Sequence, residues 1–246
     1  MNLMFMVVRM AINPGATENF RKTLAEVVRI AKEGSDGLVG YEWFLSPDGR
    51  DCTVIEVYDG PAAHAKHVQR VVLPHAGKLR EYASSQMSLA GNVPDEMLKQ
   101  MRGRLGDVPY LGVQIAGLLD AFSTNAEKRP SAMSACIVAT GTITSNKMQN
   151  LRELADASAR DLVGKDDVIA FEWFLNQDDG SFAIIGMGRT PATITDRISH
   201  ALDTLRTEGA SEIALDAVGL DPAEVAKRFG YSRLGRVGGE RIEGVL

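Results

Sequence analysis

Glu42-Trp43-Phe44-Leu45 recurs 130 residues later as Glu172-Trp173-Phe174-Leu175. With this offset held without gaps, residues 37–62 align with residues 167–192, and eight of the 26 positions are identical, far more than chance would give. Further along the chain the offset slips to 127, where Ile115-Ala116-Gly117 aligns with Ile242-Glu243-Gly244. The sequence is therefore a duplicated unit, and the repeat covers nearly all of its 246 residues.

Both copies predict the same order of secondary structure. In copy one an apolar first strand precedes a helix whose apolar residues recur at helical spacing, and a hairpin then turns at Pro47-Asp48-Gly49. A second helix opens at a proline, and a fourth strand, a short helix and a closing extended segment follow. The predicted elements are strand 5–10, helix 20–31, strands 38–45 and 53–58, a helix from Pro61, strand 88–92, a helix from Pro94 and segment 111–119. Their counterparts include strand 135–140, helices from Pro191 and Pro222, strand 212–218 and segment 236–246.

The order βαββαβ is that of a ferredoxin-like domain, which leaves one face of its sheet without helices. Along residues 38–45 apolar side chains point to both faces, so we expect both faces to be covered. The fold class predicted is therefore α+β, with two tandem ferredoxin-like domains packed sheet to sheet as an intramolecular pseudo-dimeric α+β barrel. The predicted boundaries are residues 1–122 for the first domain, 123–131 for a polar linker and 132–246 for a degenerate second domain.

Composition narrows the class of protein. The 27 basic and 32 acidic residues give a net charge of −5, which argues against a nucleic-acid partner. Two cysteines cannot form a disulfide framework, so we expect a reducing, cytoplasmic location. The N-terminus is typical of a strand and not of a signal peptide, and no apolar run reaches the length of a membrane span, so no membrane partner is expected.

Copy one resembles the antibiotic biosynthesis monooxygenase family in three segments: residues 40–49 (GYEWFLSPDG), residues 54–58 (VIEVY) and the Ala65-x-His67 pattern on the next helix. This family belongs to the dimeric α+β barrel superfamily, whose members include quinol monooxygenases and are usually single domains that dimerise. Its catalytic members oxidise polycyclic phenols or quinols with O2 and neither metal nor flavin. Other members degrade haem, and many have no known activity. The resemblance implies a small aromatic molecule and O2 as partners, no cofactor, and a possible homodimer of the tandem unit.

Three of the four histidines, His64, His67 and His75, fall in the second helix of copy one. They lie on one helical face if the helix is continuous, but Pro74 interrupts it. An imidazole titrates near neutral pH and suits a general base, and it is also a common metal ligand. No set of Asp, Glu or Cys residues at ligand spacing accompanies the three, so we predict no metal site. A purely structural role is the third reading. The resemblance singles out His67 and His75 as catalytic candidates.

The hairpin strands add further candidates. Tyr41 and Trp43 are predicted to form a flat wall for an aromatic substrate, with Tyr58 and His64 beside them, although core packing also explains the aromatic residues. Glu42 is a third catalytic candidate, because a carboxylate in a strand buried on both faces must be paired, protonated or open to a cavity. Glu56 could share a proton with it across the hairpin if the register allows.

Copy two lacks the ionisable candidates. At the positions of His64, His67 and His75 it has Ile194, Arg197 and Leu205, so any proton-transfer site is predicted to lie in copy one. The function predicted is a cofactor-independent monooxygenase that acts on a small aromatic or quinol-like compound. A non-catalytic small-molecule-binding or regulatory barrel is the main alternative, and haem binding or degradation is a weaker one. Whether the chain is an enzyme at all stays open at this point.

Sheet-to-sheet packing predicts that the two halves unfold together. Scanning calorimetry of the full chain should show one transition, and a half-chain ending at residue 122 should not form a stable monomer, because one face of its sheet would lose its cover. Two independent transitions, or a stable monomeric half, would contradict this arrangement.

Overall fold

The computed structural model describes residues 3–34, 36–118, 134–162, 165, 167–229, 234–237 and 240–245. The predicted linker, residues 123–131, lies outside the described residues. The chain forms two compact units. Unit 1 comprises Met1–Tyr110 and Gly239–Leu246, and unit 2 comprises Leu111–Gly238. The units therefore differ from the two sequence copies, since the closing strand of each copy belongs to the unit built mainly from the other.

The elements follow the predicted order in both copies. Those of copy one are β1 (Met4–Ile12), α1 (Thr17–Lys32), β2 (Leu38–Leu45), β3 (Asp51–Tyr58), α2 (Pro61–His67), a π-helical turn (Val68–Val72), α3 (Ala76–Tyr82), β4 (Ala83–Gly91), α4 (Asp95–Leu105) and β5 (Val113–Leu118). Those of copy two are β6 (Ala135–Thr142), a 3-10 turn (Ser145–Lys147), α5 (Met148–Leu162), β7 (Val168–Leu175), β8 (Ser181–Gly188), α6 (Pro191–Thr207), β9 (Ser211–Val218), α7 (Pro222–Phe229), β10 (Leu234–Val237) and β11 (Glu240–Val245).

Strand order confirms the ferredoxin-like fold in each unit. The sheet of unit 1 runs β11-β2-β3-β1-β4, which is the split βαβ arrangement with β11 added beside β2. The sheet of unit 2 runs β10-β9-β6-β8-β7-β5, and here β5 lies beside β7. The four strands of each βαββαβ repeat pair in antiparallel fashion.

Pairing registers show the duplication at the level of single residues. Glu42 lies opposite Ile55 in unit 1, and Glu172 lies opposite Ile185 in unit 2, which preserves the offset of 130. The closing strands preserve the slipped offset of 127, because Gly244 pairs with Glu42 as Gly117 pairs with Glu172. Each closing strand also carries one bulge at the equivalent place.

Two predicted elements have different limits in the structure. The fourth strand of copy one begins at Ala83 and not at Ser88, since β4 is the edge of its sheet and the polar residues 84–86 face solvent while their backbone pairs with β1. The closing segment 236–246 was predicted as one piece. Its residues belong to two strands instead, with β10 in the sheet of unit 2 and β11 in the sheet of unit 1.

The second helix differs most between the copies. In copy two α6 runs without a break from Pro191 to Thr207. In copy one the same stretch is divided into α2, the π-helical turn and α3, with Pro74 in the gap before α3. Proline removes a backbone hydrogen bond from a helix interior, and its counterpart in copy two is Thr204, which carries no such restriction. The expected interruption at Pro74 is thus present.

Both faces of the hairpin strands are buried, as their sequence predicted. In β2 the side chains of Tyr41 and Trp43 are buried on the face toward the helices, and those of Glu42 and Phe44 are buried on the other face. The equivalent residues of β7 are buried in the same way. Within the described part of the chain, no helix is both long enough and apolar enough to cross a membrane.

The two tryptophans should contribute about equally to the free energy of unfolding. Trp43 and Trp173 are 2% and 0% exposed, so Trp43→Ala and Trp173→Ala should each lower the free energy of unfolding by about 3 to 5 kcal/mol, because each leaves a large cavity. Urea unfolding measures this change, and Leu105→Ala, at a side chain that is 48% exposed, is the control. An unchanged denaturation midpoint for either tryptophan variant would contradict the core assignment.

Candidate functional site

Unit 1 contains a cavity of about 560 Å³ between the helix-facing side of its sheet and the helices α2 to α4. That volume lies within the range of small-molecule sites. Its wall on the sheet side consists mainly of aromatic and thioether side chains: Met6, Met10, Tyr41, Trp43 and Met87. Methionine is flexible and polarisable, and it adapts to flat apolar ligands of varied outline. The cavity therefore has the character of a binding site for an aromatic compound.

Strand alternation places one carboxyl group in this wall. Side chains two residues apart share a face, so Tyr41 and Trp43 both point to the helix side of β2. Glu56 on β3 is the register partner of Tyr41, and it joins them on the cavity wall. A single carboxylic acid thus lies among apolar and aromatic groups, with 7% of its surface exposed.

Four more side chains surround this acid, and together they form what we call the Glu56 cluster: Glu56, Tyr58, Tyr41, His64 and His67. The hydroxyl of Tyr58 donates a hydrogen bond of 2.5 Å to Oε2 of Glu56. The ring of Tyr58 packs against His64 and His67 with centroid distances of 5.1 and 5.5 Å. Tyr41 packs edge-on against His67 at 4.8 Å. Tyr41, Glu56 and His64 line the cavity.

Burial determines the charge state of the cluster. It raises the pKa of Glu56 to about 7, although the hydrogen bond from Tyr58 acts in the opposite direction. It also raises the pKa of Tyr41 and of Tyr58 well above the usual value, with the nearby Glu56 adding to both shifts. Near neutral pH the carboxyl group can therefore accept or release a proton, while both phenols stay protonated.

The histidines of the cluster are neutral at the same pH. Burial lowers the pKa of His64 and of His67 to about 4, and the proximity of His64 contributes to the shift of His67. A general base is most effective when its pKa lies near the working pH, and Glu56 meets this condition better than either imidazole. From the sequence, Glu56 was predicted only as a proton-sharing partner of Glu42, because the register of the hairpin was unknown.

Glu42, predicted as catalytic, lies away from the cavity. It points to the opposite face of β2 from Tyr41 and Trp43, and it pairs with Ile55 and not with Glu56. The suggestion that Glu42 and Glu56 share a proton across the hairpin is therefore wrong: their positions differ by one residue in register, and a shift of one residue reverses the face.

His75 is also separated from the cluster. It precedes α3, beyond the break at Pro74, and its Nδ1 lies 2.9 Å from the carbonyl oxygen of Val71. Its Nε2 lies 3.7 Å from Oε2 of Glu26 on α1. These contacts fit a structural role in joining the interrupted helix to α1. The structure thus brings together Tyr41, Trp43, Tyr58, His64 and His67 and leaves out Glu42 and His75.

The same region of unit 2 is filled with aliphatic side chains. Gly186 and Gly188 replace Glu56 and Tyr58, and Ile194 and Ile198 of α6 pack directly over them. A Cβ atom on Gly188 would lie 2.4 Å from Cγ1 of Ile194, so the space is occupied. Arg197, at the position of His67, forms an ion pair with Asp161. These positions of unit 2 thus provide no group for proton transfer.

Glu172, the counterpart of Glu42, is hydrogen-bonded to the side chain of Gln114 on β5. Burial raises its pKa to about 8, and the bond from Gln114 opposes the shift. No group of three or more His, Cys, Asp or Glu side chains suited to a metal ion occurs among the described residues.

Comparison with known families agrees with the resemblance noted in the sequence. Residues 3–81 match the model of the family described as Antibiotic biosynthesis monooxygenase. The match spans about a third of the chain and includes every member of the Glu56 cluster. The predicted family resemblance is therefore confirmed for the first copy. A search of curated proteins finds no match.

Solved structures extend the likeness of fold to most of the chain. A protein of Lactobacillus acidophilus NCFM aligns with a TM-score of 0.62 at 8% identity, over 88% of this chain and 93% of its own. A protein of Fusobacterium nucleatum aligns with a TM-score of 0.60 at 6% identity, over 87% of this chain and 89% of its own. Both are provisionally named monooxygenases. At these identities the likeness shows a shared fold and nothing about activity.

The raised pKa of Glu56 makes its contribution to stability depend on pH. Between the ordinary value of 4.5 and the folded value of about 7, the folded wild type binds more protons than the unfolded chain and loses stability as pH rises. Glu56→Gln removes this loss. From pH 4.5 to pH 8 the free energy of unfolding of the variant, relative to wild type, should increase by about 2 to 3 kcal/mol.

Urea unfolding at several pH values measures this difference, and Glu18→Gln on the exposed side of α1 is the control. A difference between Glu56→Gln and wild type that stayed constant with pH would show that Glu56 titrates normally.

Proposed function

We propose that this chain is a cofactor-independent monooxygenase that oxidises a small phenolic or quinol-like aromatic compound in the cavity of unit 1. The observation that carries the proposal is the placement of Glu56: a buried carboxyl group with a pKa of about 7 lies in an aromatic wall, hydrogen-bonded to Tyr58. The match of residues 3–81 to the monooxygenase family supports it.

Glu56 is the proposed general base. In its ionised form it accepts the hydroxyl proton of the bound phenol, which leaves an electron-rich phenolate in the cavity. The hydrogen bond from Tyr58 keeps the carboxylate in one orientation and stabilises its charged form. Because the folded pKa is close to neutral, the carboxylate is both available and basic enough to take the proton.

The electrons for oxygen reduction come from the substrate in this scheme. A phenol that tautomerises to a ketone with an oxidisable CH2 group gives, with one O2, a new carbonyl group and one water molecule. The carbon loses four electrons, and the two oxygen atoms gain them. The proton that Glu56 removed returns to the departing oxygen atom, which restores the base.

The aromatic and imidazole side chains near Glu56 shape the site and exclude water from it. Tyr41 and Trp43 pack edge to face at 5.5 Å and offer an aromatic surface to the substrate ring. His64 lines the cavity and His67 lies behind Tyr41. As neutral imidazoles they leave Glu56 as the group that titrates near neutral pH. Limited water around the carboxylate strengthens its interactions with the substrate.

A protein that binds an aromatic ligand without oxidising it is the second candidate. The methionine-rich wall favours this reading, because an adaptable apolar surface is sufficient for binding and requires no base. The two candidates share the cavity and differ in the role of Glu56, so a substitution at that position distinguishes them.

Catalysis predicts a specific loss of turnover in Glu56→Gln. With 1,8-dihydroxyanthrone as probe, oxygen uptake above the spontaneous rate should fall by about 100-fold or more, the usual effect of losing a general base. In the wild type the rate should rise with pH through about 7, as Glu56 ionises. Uptake by wild type no faster than the spontaneous rate, together with tight binding, would favour the binding protein.

A matched control comes from copy two. Arg197→Ala changes the residue at the position of His67 and should leave turnover unchanged, while His67→Ala should reduce it. The chain should bind one equivalent of the aromatic probe. Two equivalent sites, or equal losses from the two substitutions, would contradict a site confined to copy one.

A further inference from the structure

The open end of the cavity in unit 1 carries two arginines on different helices. Arg80 lies in the last turn of α3 and Arg104 in the last turn of α4, and both line the cavity. Both side chains are exposed, and among the described residues neither forms an ion pair with a carboxylate. The lining of the same cavity also includes two exposed apolar side chains, Leu73 and Leu105.

The charges of the cavity are unevenly distributed. Besides the two arginines, its titratable lining residues are Tyr41, Glu56 and His64, and all three are buried. Between the buried and the exposed ends, the lining is dominated by apolar groups such as Met97 and Met101 of α4. A chain with a net charge of −5 thus places at this opening two cations that form no ion pair among the described residues.

A simpler explanation exists for each arginine alone. Cations in the last turn of a helix interact favourably with its dipole, and such residues are common there. This effect does not require that the arginines of two separate helices line one cavity. Guanidinium groups bind carboxylates in planar, bidentate geometry, which makes a pair of them at one opening suited to an anion.

We propose that the substrate is an aromatic compound with an anionic substituent, such as a carboxylate, which Arg80 and Arg104 bind at the opening of the cavity. Its ring then lies against Tyr41 and Trp43, and its reacting hydroxyl group lies at the far end, toward Glu56. This inference rests on the proposed function for the orientation of the ring, and it adds the requirement that the substrate carries an anionic group.

Binding of a matched pair of probes tests the requirement. Anthraquinone-2-carboxylate and anthraquinone-2-carboxamide have nearly the same shape and differ in charge. Titration calorimetry should show that wild type binds the carboxylate about tenfold more tightly than the amide, with a preference that decreases as salt is added. In the double variant Arg80→Gln, Arg104→Gln the preference should disappear, while the affinity for the amide stays the same.

Controls on the same two helices separate a specific site from general charge. Lys78→Gln and Lys99→Gln each remove an exposed cation that does not line the cavity, and both should keep the preference for the carboxylate. Glu56→Gln should also keep it, even though turnover is lost.

Each other outcome has a defined meaning. Equal binding of the two probes to wild type, or a preference that survives in the double variant, would overturn this inference and leave the proposed function intact. A loss of preference in the lysine variants as large as in the arginine variants would also overturn it. Failure of both probes to bind would overturn the inference together with the proposed function.

Discussion

The alternation of side chains along β2 and β3 is the constraint on which the site depends. Because neighbouring residues of a strand face opposite sides, one register decides which groups meet on the helix side of the sheet. With Tyr41 opposite Glu56, an acid joins an aromatic wall. A register shifted by one residue would exchange the faces and bring Glu42 to the helix side. The hairpin turn therefore determines the chemistry of the cavity as well as the fold.

A buried acid in that wall lowers the stability of the fold, and only copy one has such an acid at this position. A buried carboxyl group is destabilising when ionised unless hydrogen bonds compensate, and Tyr58 supplies one such bond to Glu56. At the equivalent position unit 2 has Gly186, with Ile194 and Ile198 packed onto its backbone. For stability alone, this aliphatic packing is better than a buried acid. The presence of the costly arrangement in unit 1 is consistent with a role in binding or catalysis.

Much of this could be predicted from the sequence, for identifiable reasons. The repeat of Glu42-Trp43-Phe44-Leu45 predicted equivalent strands, and the offsets of 130 and 127 correspond to the observed registers. The site was predicted less well, because a pattern of residue types does not specify which strands pair at which position. Glu42 was chosen because it is a carboxylate in a strand buried on both faces, and Glu56 was given a role only as its proton-sharing partner across the hairpin. The separation of His75 depends on packing against α1, which local sequence does not reveal.

Strand pairing also explains why copy two, which lacks the titratable groups of the site, can still be required by it. In unit 1, β2 lies between β3 and β11, and β11 is the last strand of copy two. Without β11, the strand that carries Tyr41 and Trp43 would be an edge strand with one row of backbone groups unpaired. An edge strand has a less strongly specified position, and the cavity wall would lose its fixed geometry. Copy two therefore lacks an acid and histidines at the equivalent positions and is still needed, because its closing strand holds in place the strand that carries Tyr41 and Trp43 beside Glu56.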